Sequence, residues 1–297
     1  MSALTAISAT ISEFWAYKPD KDDSAAVKPQ ILFDEFSVCG NESHSVSISV
    51  FSTILTCPYR VLNRAAGVHS RLSRKTIDSM SKGTAAHREA ELQIRQRAAD
   101  SLGRGGPPDV SRASEDVIAI AEQDLLEAPE ATVKLAAEGI RLRGKADGLL
   151  RSNGLIVAVE RKPRTRMYQR SSALQAMTCA IGGCLSLGQA SASLGASWLV
   201  TSYAGVVGPQ GRISEKTCQL IKRLANAYGH LIEFGASGES FPGLPGPGPE
   251  KCRNCEFWHA CAYRIDQRTG ETARLTAPVW LKYAKRGRKQ RKRPDET

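Results

Sequence analysis

Apolar and polar positions alternate most regularly between residues 140 and 162. Ile140 and Leu142 alternate with Arg141, Arg143 and Lys145, the two-residue period of a strand with one covered face. Asp147 has the parity of the basic residues and is expected on the open face of the sheet. After a turn at Ser152-Asn153-Gly154, residues 155–162 read as a strongly apolar strand. Its end carries Glu160 and Lys162, two apart and therefore on one face. A helical pattern over 169–187 follows, weakened by Gly182-Gly183, then a strand over 198–203 and a long amphipathic helix over 214–234. Upstream, 48–63 reads as a helix with Ser49 as N-cap and a kink or break at Pro58. Further helices are expected over 84–99, with Thr84 as cap, and over 116–127, stopped before Pro129, with a Gly/Pro loop at 103–108 between them. Residues 1–45 show little periodicity and read as a loosely packed extension, and 241–249 as a Pro/Gly linker. Strands interspersed with helices predict an α/β fold.

Composition narrows the partners. The 297 residues carry 41 Lys and Arg against 30 Asp and Glu, a formal charge of +11, which favours a polyanion. Part of that charge lies in the tail at 282–293. Such a tail either binds phosphate by counterion release or is a solvated, solubilising end, and both readings stay open. A hydrophobic fraction of 41% is enough for a core. No leader pattern is visible, and the most apolar stretch, 173–200, is interrupted by Gln175 and several Gly and Ser. A cytoplasmic protein with no membrane partner is therefore expected. In that compartment the eight cysteines are expected to be metal ligands or buried thiols rather than disulfides.

Two constellations carry chemistry. Asp147 and Glu160, on neighbouring strands, are oxygen donors suited to one hard divalent cation such as Mg2+ or Mn2+. Lys162 beside them is placed to position or help deprotonate an attacking water and to stabilise developing negative charge. Glu160 also ends an apolar run that is expected to be buried, the kind of strand end where α/β folds place ligand sites. A surface ion pair explains the same spacing less specifically. The second constellation is Cys252-x2-Cys255-x5-Cys261 with Cys57, 195 residues before Cys252. On spacing alone zinc is favoured, with His259 inside the run as a possible substitute ligand; a cluster is the alternative. Cys39, Cys179, Cys184 and Cys218 lie outside this pattern, and Cys179 and Cys184 read as buried small hydrophobes on the 169–187 helix.

Gly144-Lys145-Ala146-Asp147 followed by Glu160-Arg161-Lys162 resembles the core of the PD-(D/E)xK nuclease superfamily. With the flanking cysteines the chain is similar to RecB-like iron–sulfur nucleases, and most to the CRISPR-associated RecB-like exonuclease family. The resemblance covers roughly residues 47–263. It rests on 49–60, Gly83-Thr84-Ala85-Ala86-His87, 144–147, 160–162, Gln175 and 252–261, in that order. It implies a RecB-like nuclease domain over 46–263, with a helical iron–sulfur lobe built from both chain ends, an N-terminal extension over 1–45 and a basic tail over 264–297. It further implies His87 as a metal ligand beside Asp147 and Glu160, Lys162 as catalytic, and Gln175 orienting the lysine or a phosphate. Cys57, Cys252, Cys255 and Cys261 would hold a 4Fe–4S cluster. The implied activity is DNA cleavage at single-stranded ends, trimming spacer precursors in association with the CRISPR adaptation integrase. The chain departs from the family's Q-x-x-x-Y motif, since Cys179 stands four residues after Gln175. That removes a tyrosine contact to the DNA backbone, with Tyr168 a candidate replacement from the preceding loop. The alternatives are a free-standing repair or mobile-element nuclease of the same superfamily, and a catalytically idle iron–sulfur or zinc DNA-binding module.

Overall fold

The computed structural model describes residues 3–17, 36–37, 45–72, 74, 76–78, 80–86, 88–89, 92, 131–152, 155–163, 166, 168–187, 195–203, 206–237, 252, 255–259, 261, 263–265 and 272–274. The N-terminal elements are α1 (Ala3–Ala16), β1 (Val46–Ser47), α2 (Ile48–Phe51), a 3-10 turn (Ser52–Leu55) and α3 (Pro58–Ala65). Then come β2 (Ala131–Ala137), β3 (Ile140–Ala146), β4 (Gly148–Ser152), β5 (Leu155–Lys162) and α4 (Arg170–Leu187). The last are β6 (Gly195–Ser202), β7 (Val207–Arg212), α5 (Glu215–Ser237), β8 (Tyr263–Ile265) and β9 (Thr272–Arg274). The fold is mixed α/β. It divides into two compact units, one of Met1–Trp15, Thr53–Ser81 and Asn226–Thr297, the other of Ala16–Ser52 and Lys82–Ala225.

The second unit is built on two sheets. Strands β2 and β3 form an antiparallel hairpin, with β1 parallel to β3 on the other side. The hairpin turns on Glu138 and Gly139, both left-handed at φ 49° and 73°, the pair of positive angles that a tight hairpin turn requires. Gly144 is needed because a Cβ there would stand 2.8 Å from Ile48 Cδ1. The other sheet has the order β4-β5-β6-β7, with β5 and β6 parallel and both outer pairs antiparallel. The long helix α4 connects the two parallel strands, as a crossover must. Central β5 is buried on both faces. Leu155, Val157 and Val159 join Leu199 and the half-buried Val207 on one side. Ile156, Ala158 and Glu160 have the opposite parity, and Ile156 meets α4 at Gly183.

The glycine pair that weakens the helical pattern has a packing reason. A Cβ on Gly182 would meet Val133 at 3.1 Å and one on Gly183 would meet Leu149 at 2.9 Å, so a larger residue at either place would have to push those side chains aside. Helix α5 begins where expected, with Ser214 Oγ accepting the Thr217 N–H at 3.3 Å as an N-cap does.

Several expectations change in both units. Residues 3–16 are not loose: Ile7, Ile11 and Phe14 are 1%, 2% and 1% exposed, the i, i+4, i+7 stripe of a packed amphipathic helix. The helix expected over 48–63 breaks at Cys57, where Pro58 led a kink or break to be expected, but its cap is Ser47 rather than Ser49, with Ser47 Oγ accepting the Val50 N–H at 3.1 Å. Pro58, which cannot continue a helix but can start one, begins α3 at its first turn. A Cβ on Gly235 of α5 would meet Leu62 O at 2.6 Å, so α5 closes tightly on α3. Thr84 is inside a helical stretch, 80–86, and does not cap one. The boundary expected at 263/264 cuts the antiparallel pair β8–β9. The expected elements at 103–108, 116–127 and 241–249, and the basic residues at 282–293, lie outside the described residues. Among the described residues no helix is long and apolar enough to cross a membrane.

Candidate functional site

The acidic constellation forms at the end of β5. Asp147 occupies the bend between β3 and β4, not the strand itself, and its Oδ2 accepts the Arg161 backbone N–H at 2.6 Å. The Arg161 guanidinium returns a bond to the Asp147 carbonyl. Strand β5 thus holds Asp147 from two sides. Glu160 is 5% exposed and ion-paired to Lys162. Burial first, then the Asp147 charge, pushes the Glu160 carboxyl up to about 7, against the pull of Lys162 and Arg161. Burial works to lower the Lys162 ammonium, but Glu160 and Asp147 outweigh it and raise the lysine overall. Two carboxylates that repel one another in a buried place, offering only hard oxygen, suit a divalent cation. Among the described residues no three His, Cys, Asp or Glu side chains are already gathered as a metal-binding set.

Helix α4 brings two further residues to this end of the strand. Positions 175, 179 and 183 are one helical turn apart and share a face. Gly183 meets Ile156, and Cys179, one turn earlier, lies within electrostatic reach of Glu160. Complete burial, then Glu160 and Asp147, drives the Cys179 thiol far up, so it stays protonated, the buried small hydrophobe that was expected. Gln175 is not on Lys162: its Nε2 donates to Ser52 Oγ at 2.7 Å. The structure also brings in a residue that the motifs do not reveal, Tyr203, immediately after β6 where Ser202 pairs with Lys162. A tight turn holds it, with Ser202 N–H donating to Val206 O at 2.8 Å and Val206 N–H to Ser202 Oγ at 2.9 Å. Burial raises its phenol above its ordinary range, and Lys162, Asp147, Glu160 and Arg166 all act on it. Tyr168, a candidate replacement for the missing tyrosine, is 70% exposed. The strand over 198–203 was the only sequence signal for Tyr203. His87 lies outside the described residues.

The cysteine constellation belongs to the first unit. Cys57, Cys252 and Cys261 are buried and Cys255 half-buried, and none of the four is in a disulfide. Burial first, then Cys261 and Cys255 and more weakly Cys252, pushes the Cys57 thiol well up, so the four sulfurs share one neighbourhood. The turn of the C-x2-C pair is closed by Cys255 N–H to Cys252 O at 3.0 Å, and Cys261 N–H bonds Phe257 O at 2.8 Å. Glu256, between the ligand candidates, joins the two chain segments. It accepts Arg60 Nη2 at 3.1 Å and Arg64 Nη2 at 2.8 Å, and its carbonyl accepts the Arg71 N–H at 2.8 Å. Arg64 also lies 6.0 Å over the Phe257 ring. The four thiols lie within electrostatic reach of one another but are not gathered at ligand distances; as a donor set they suit a thiolate-bound metal group, whose binding would draw them together and displace their protons. His259 lies in the same turn, half-buried, its imidazole lowered by burial and by Arg71.

No protein-family model matches the chain, and no curated protein is similar to it in sequence. A solved structure described as "Crystal structure of SSO0001" is similar over 92% of this chain and 96% of its own, at 13% identity and a TM-score of 0.34. A likeness that low carries neither fold nor activity.

The Glu160 shift has a consequence that can be measured. Its carboxyl is raised in the folded chain, so its contribution to stability is fully present below about pH 4.5 and is lost as pH rises through about 7. In ion-free protein, wild type should therefore lose stability relative to Glu160→Gln over that window, by on the order of a few kcal/mol. Melting curves of the two proteins across the window test this; parallel pH profiles would show that Glu160 is already ionised. Added Mn2+ should release protons and bind more tightly as pH rises.

Proposed function

We propose that this chain is a divalent-metal-dependent DNA exonuclease of the PD-(D/E)xK superfamily, acting on single-stranded ends. We further propose that it works in the cytoplasm, trimming spacer precursors beside the CRISPR adaptation integrase. The observation that carries the nuclease reading is the meeting of Asp147, Glu160 and Lys162 at the end of central β5, with Lys162 paired to Glu160. The hairpin β4–β5, crossover helix α4 and parallel strand β6 support it, because they put a catalytic edge beside a helix. A 4Fe–4S cluster on Cys57, Cys252, Cys255 and Cys261 is part of the same proposal.

A bound Mg2+ or Mn2+ supplies charge neutralisation on the phosphate and a more acidic water. The chain's own groups prepare that site. Arg161 fixes the direction of the Asp147 carboxylate through its backbone N–H. Lys162 holds Glu160 and brings a positive charge to where negative charge develops on phosphorus-bound oxygen. Hydrolysis joins a water oxygen to phosphorus, breaks one P–O ester bond and returns a proton to the departing alkoxide. Tyr203, kept as a neutral phenol by burial, is a donor for a phosphate oxygen. It takes over the backbone contact that Cys179 cannot make, while Gln175 steadies the helix end through Ser52.

The test is cleavage of end-labelled single-stranded DNA by anaerobically purified protein, with and without Mn2+. Shortening from an end only when the ion is present is expected. Intact DNA under every divalent ion, with DNA still bound, would favour the idle-module alternative. Tyr203→Phe should lower the maximal rate roughly tenfold with the metal affinity unchanged, as removal of one hydrogen bond made in the transition state does. An unchanged rate would place the tyrosine outside the reaction.

A further inference from the structure

We propose that Arg60 is a positioning and tuning residue for the cysteine centre, its guanidinium Nε–H donating to a cluster sulfur and holding the reduction potential up. This rests on the cluster reading above. Arg60 stands three residues after Cys57 on the first turn of α3, and its backbone N–H bonds the Cys57 carbonyl at 3.0 Å. One arm of its guanidinium is fixed outward, Nη2 donating to Glu256 Oε2 at 3.1 Å. Glu256 cannot swing away, because its other oxygen accepts Arg64 at 2.8 Å. The guanidinium Nε is buried and has no hydrogen-bond partner among the described residues.

Buried N–H groups in native proteins almost always have an acceptor, so an unmatched one points to a partner that the place is built to take. Sulfurs are among the acceptors within reach of Arg60. The Arg60 charge acts on the Cys255 thiol, and its backbone N–H acts on Cys57. Thiolates and sulfides are the anionic partners that complete the guanidinium. Hydrogen bonds and positive charge at the sulfurs favour the reduced cluster over the oxidised one, since reduction adds negative charge. Lysine would not do the same, because its flexible point charge lacks the planar fork that holds Glu256 and a sulfur in one fixed geometry.

The experiment uses full-length protein purified without oxygen. Iron and sulfide per chain are measured, then the midpoint potential is found by dithionite titration followed by electron paramagnetic resonance. Arg60→Gln should keep its iron but shift the one-electron reduction equilibrium about tenfold towards the oxidised form, about 59 mV. Arg60→Lys, which keeps the charge and the Glu256 pair but lacks Nε, should move the same way by less. Glu256→Gln loosens the same clamp yet removes a negative charge and keeps Nε, so its midpoint should rise; a fall there would mean that loosening alone explains the arginine variants and would overturn the proposal. Iron-loaded wild type with unmoved midpoints in both arginine variants overturns the Arg60 proposal alone. Wild type holding zinc and no iron overturns the cluster reading and this one with it.

Discussion

Asp147→Ala and Glu160→Ala should each reduce Mn2+-dependent DNA cleavage by about a thousandfold or more while leaving the fold in place. Both residues sit where β4 and β5 begin and end, away from the apolar cluster of Leu155, Val157, Val159 and Leu199. Neither supports the core, and their mutual repulsion works against folding rather than for it. Circular dichroism and DNA binding should therefore look native while cleavage disappears. Lys162 should behave differently. Lys162→Ala removes the charge that draws Glu160 down, so the glutamate is raised further and the acidic limb of the pH–rate profile moves to higher pH. Full Mn2+-dependent activity in either alanine variant would remove the proposed site.

The strands around this site were legible because their pattern has a single physical cause. Strand β5 is apolar at every position up to Glu160, as a strand covered on both faces must be, and the cover thins only past the buried Glu160, at Arg161 and Lys162. Asp147 was legible as a residue but not as a conformation: parity put it on a strand, whereas the chain bends there between β3 and β4. Strand β2 was not foreseen, although its partner β3 was. The glycines misled for a clear reason. In isolation Gly182-Gly183 costs helix stability, while against Val133 and Leu149 it is what admits the helix. Close approach is a property of two elements, and one element's pattern does not contain it.

Other parts were hidden for the same reason. The stripe of Ile7, Ile11 and Phe14 is short and flanked by Ser and Thr, so its period stands out only once its buried face is known. Tyr203 belongs to no motif and reaches Lys162 only because β6 runs parallel to β5 with Ser202 beside the lysine. Gln175 matched a motif, yet its hydrogen bond goes to Ser52, 123 residues away along the chain. Arg60 offers the converse case. Its place in Cys57-Pro58-Tyr59-Arg60 is visible in the sequence, but the unmatched Nε is visible only in three dimensions.

Cys57→Ser should bleach the protein and destabilise it more than any other single change considered above. The residue precedes α3 as its cap, in extended backbone, and is 7% exposed. It is the only member of the proposed ligand set outside the 252–261 turn, and 195 residues separate it from Cys252. A link across so long a loop removes on the order of 5 kcal/mol of freedom from the unfolded chain, and that contribution disappears with the ligand. The ion pairs of Arg60 and Arg64 with Glu256 remain, but they are partly exposed and weak substitutes for a covalent link. Protein made without oxygen should be brown and its Cys57→Ser variant colourless, with a markedly lower melting temperature. Cys218→Ser is the informative control. Cys218 is fully buried on α5, outside the ligand set, so its serine variant should lose some stability yet keep its colour and iron. Iron analysis separates the outcomes. A Cys57→Ser protein that keeps its full iron content removes Cys57 from the ligand set. One zinc per chain in anaerobic wild type replaces the cluster by a zinc centre and leaves the chemistry of Asp147, Glu160 and Lys162 standing.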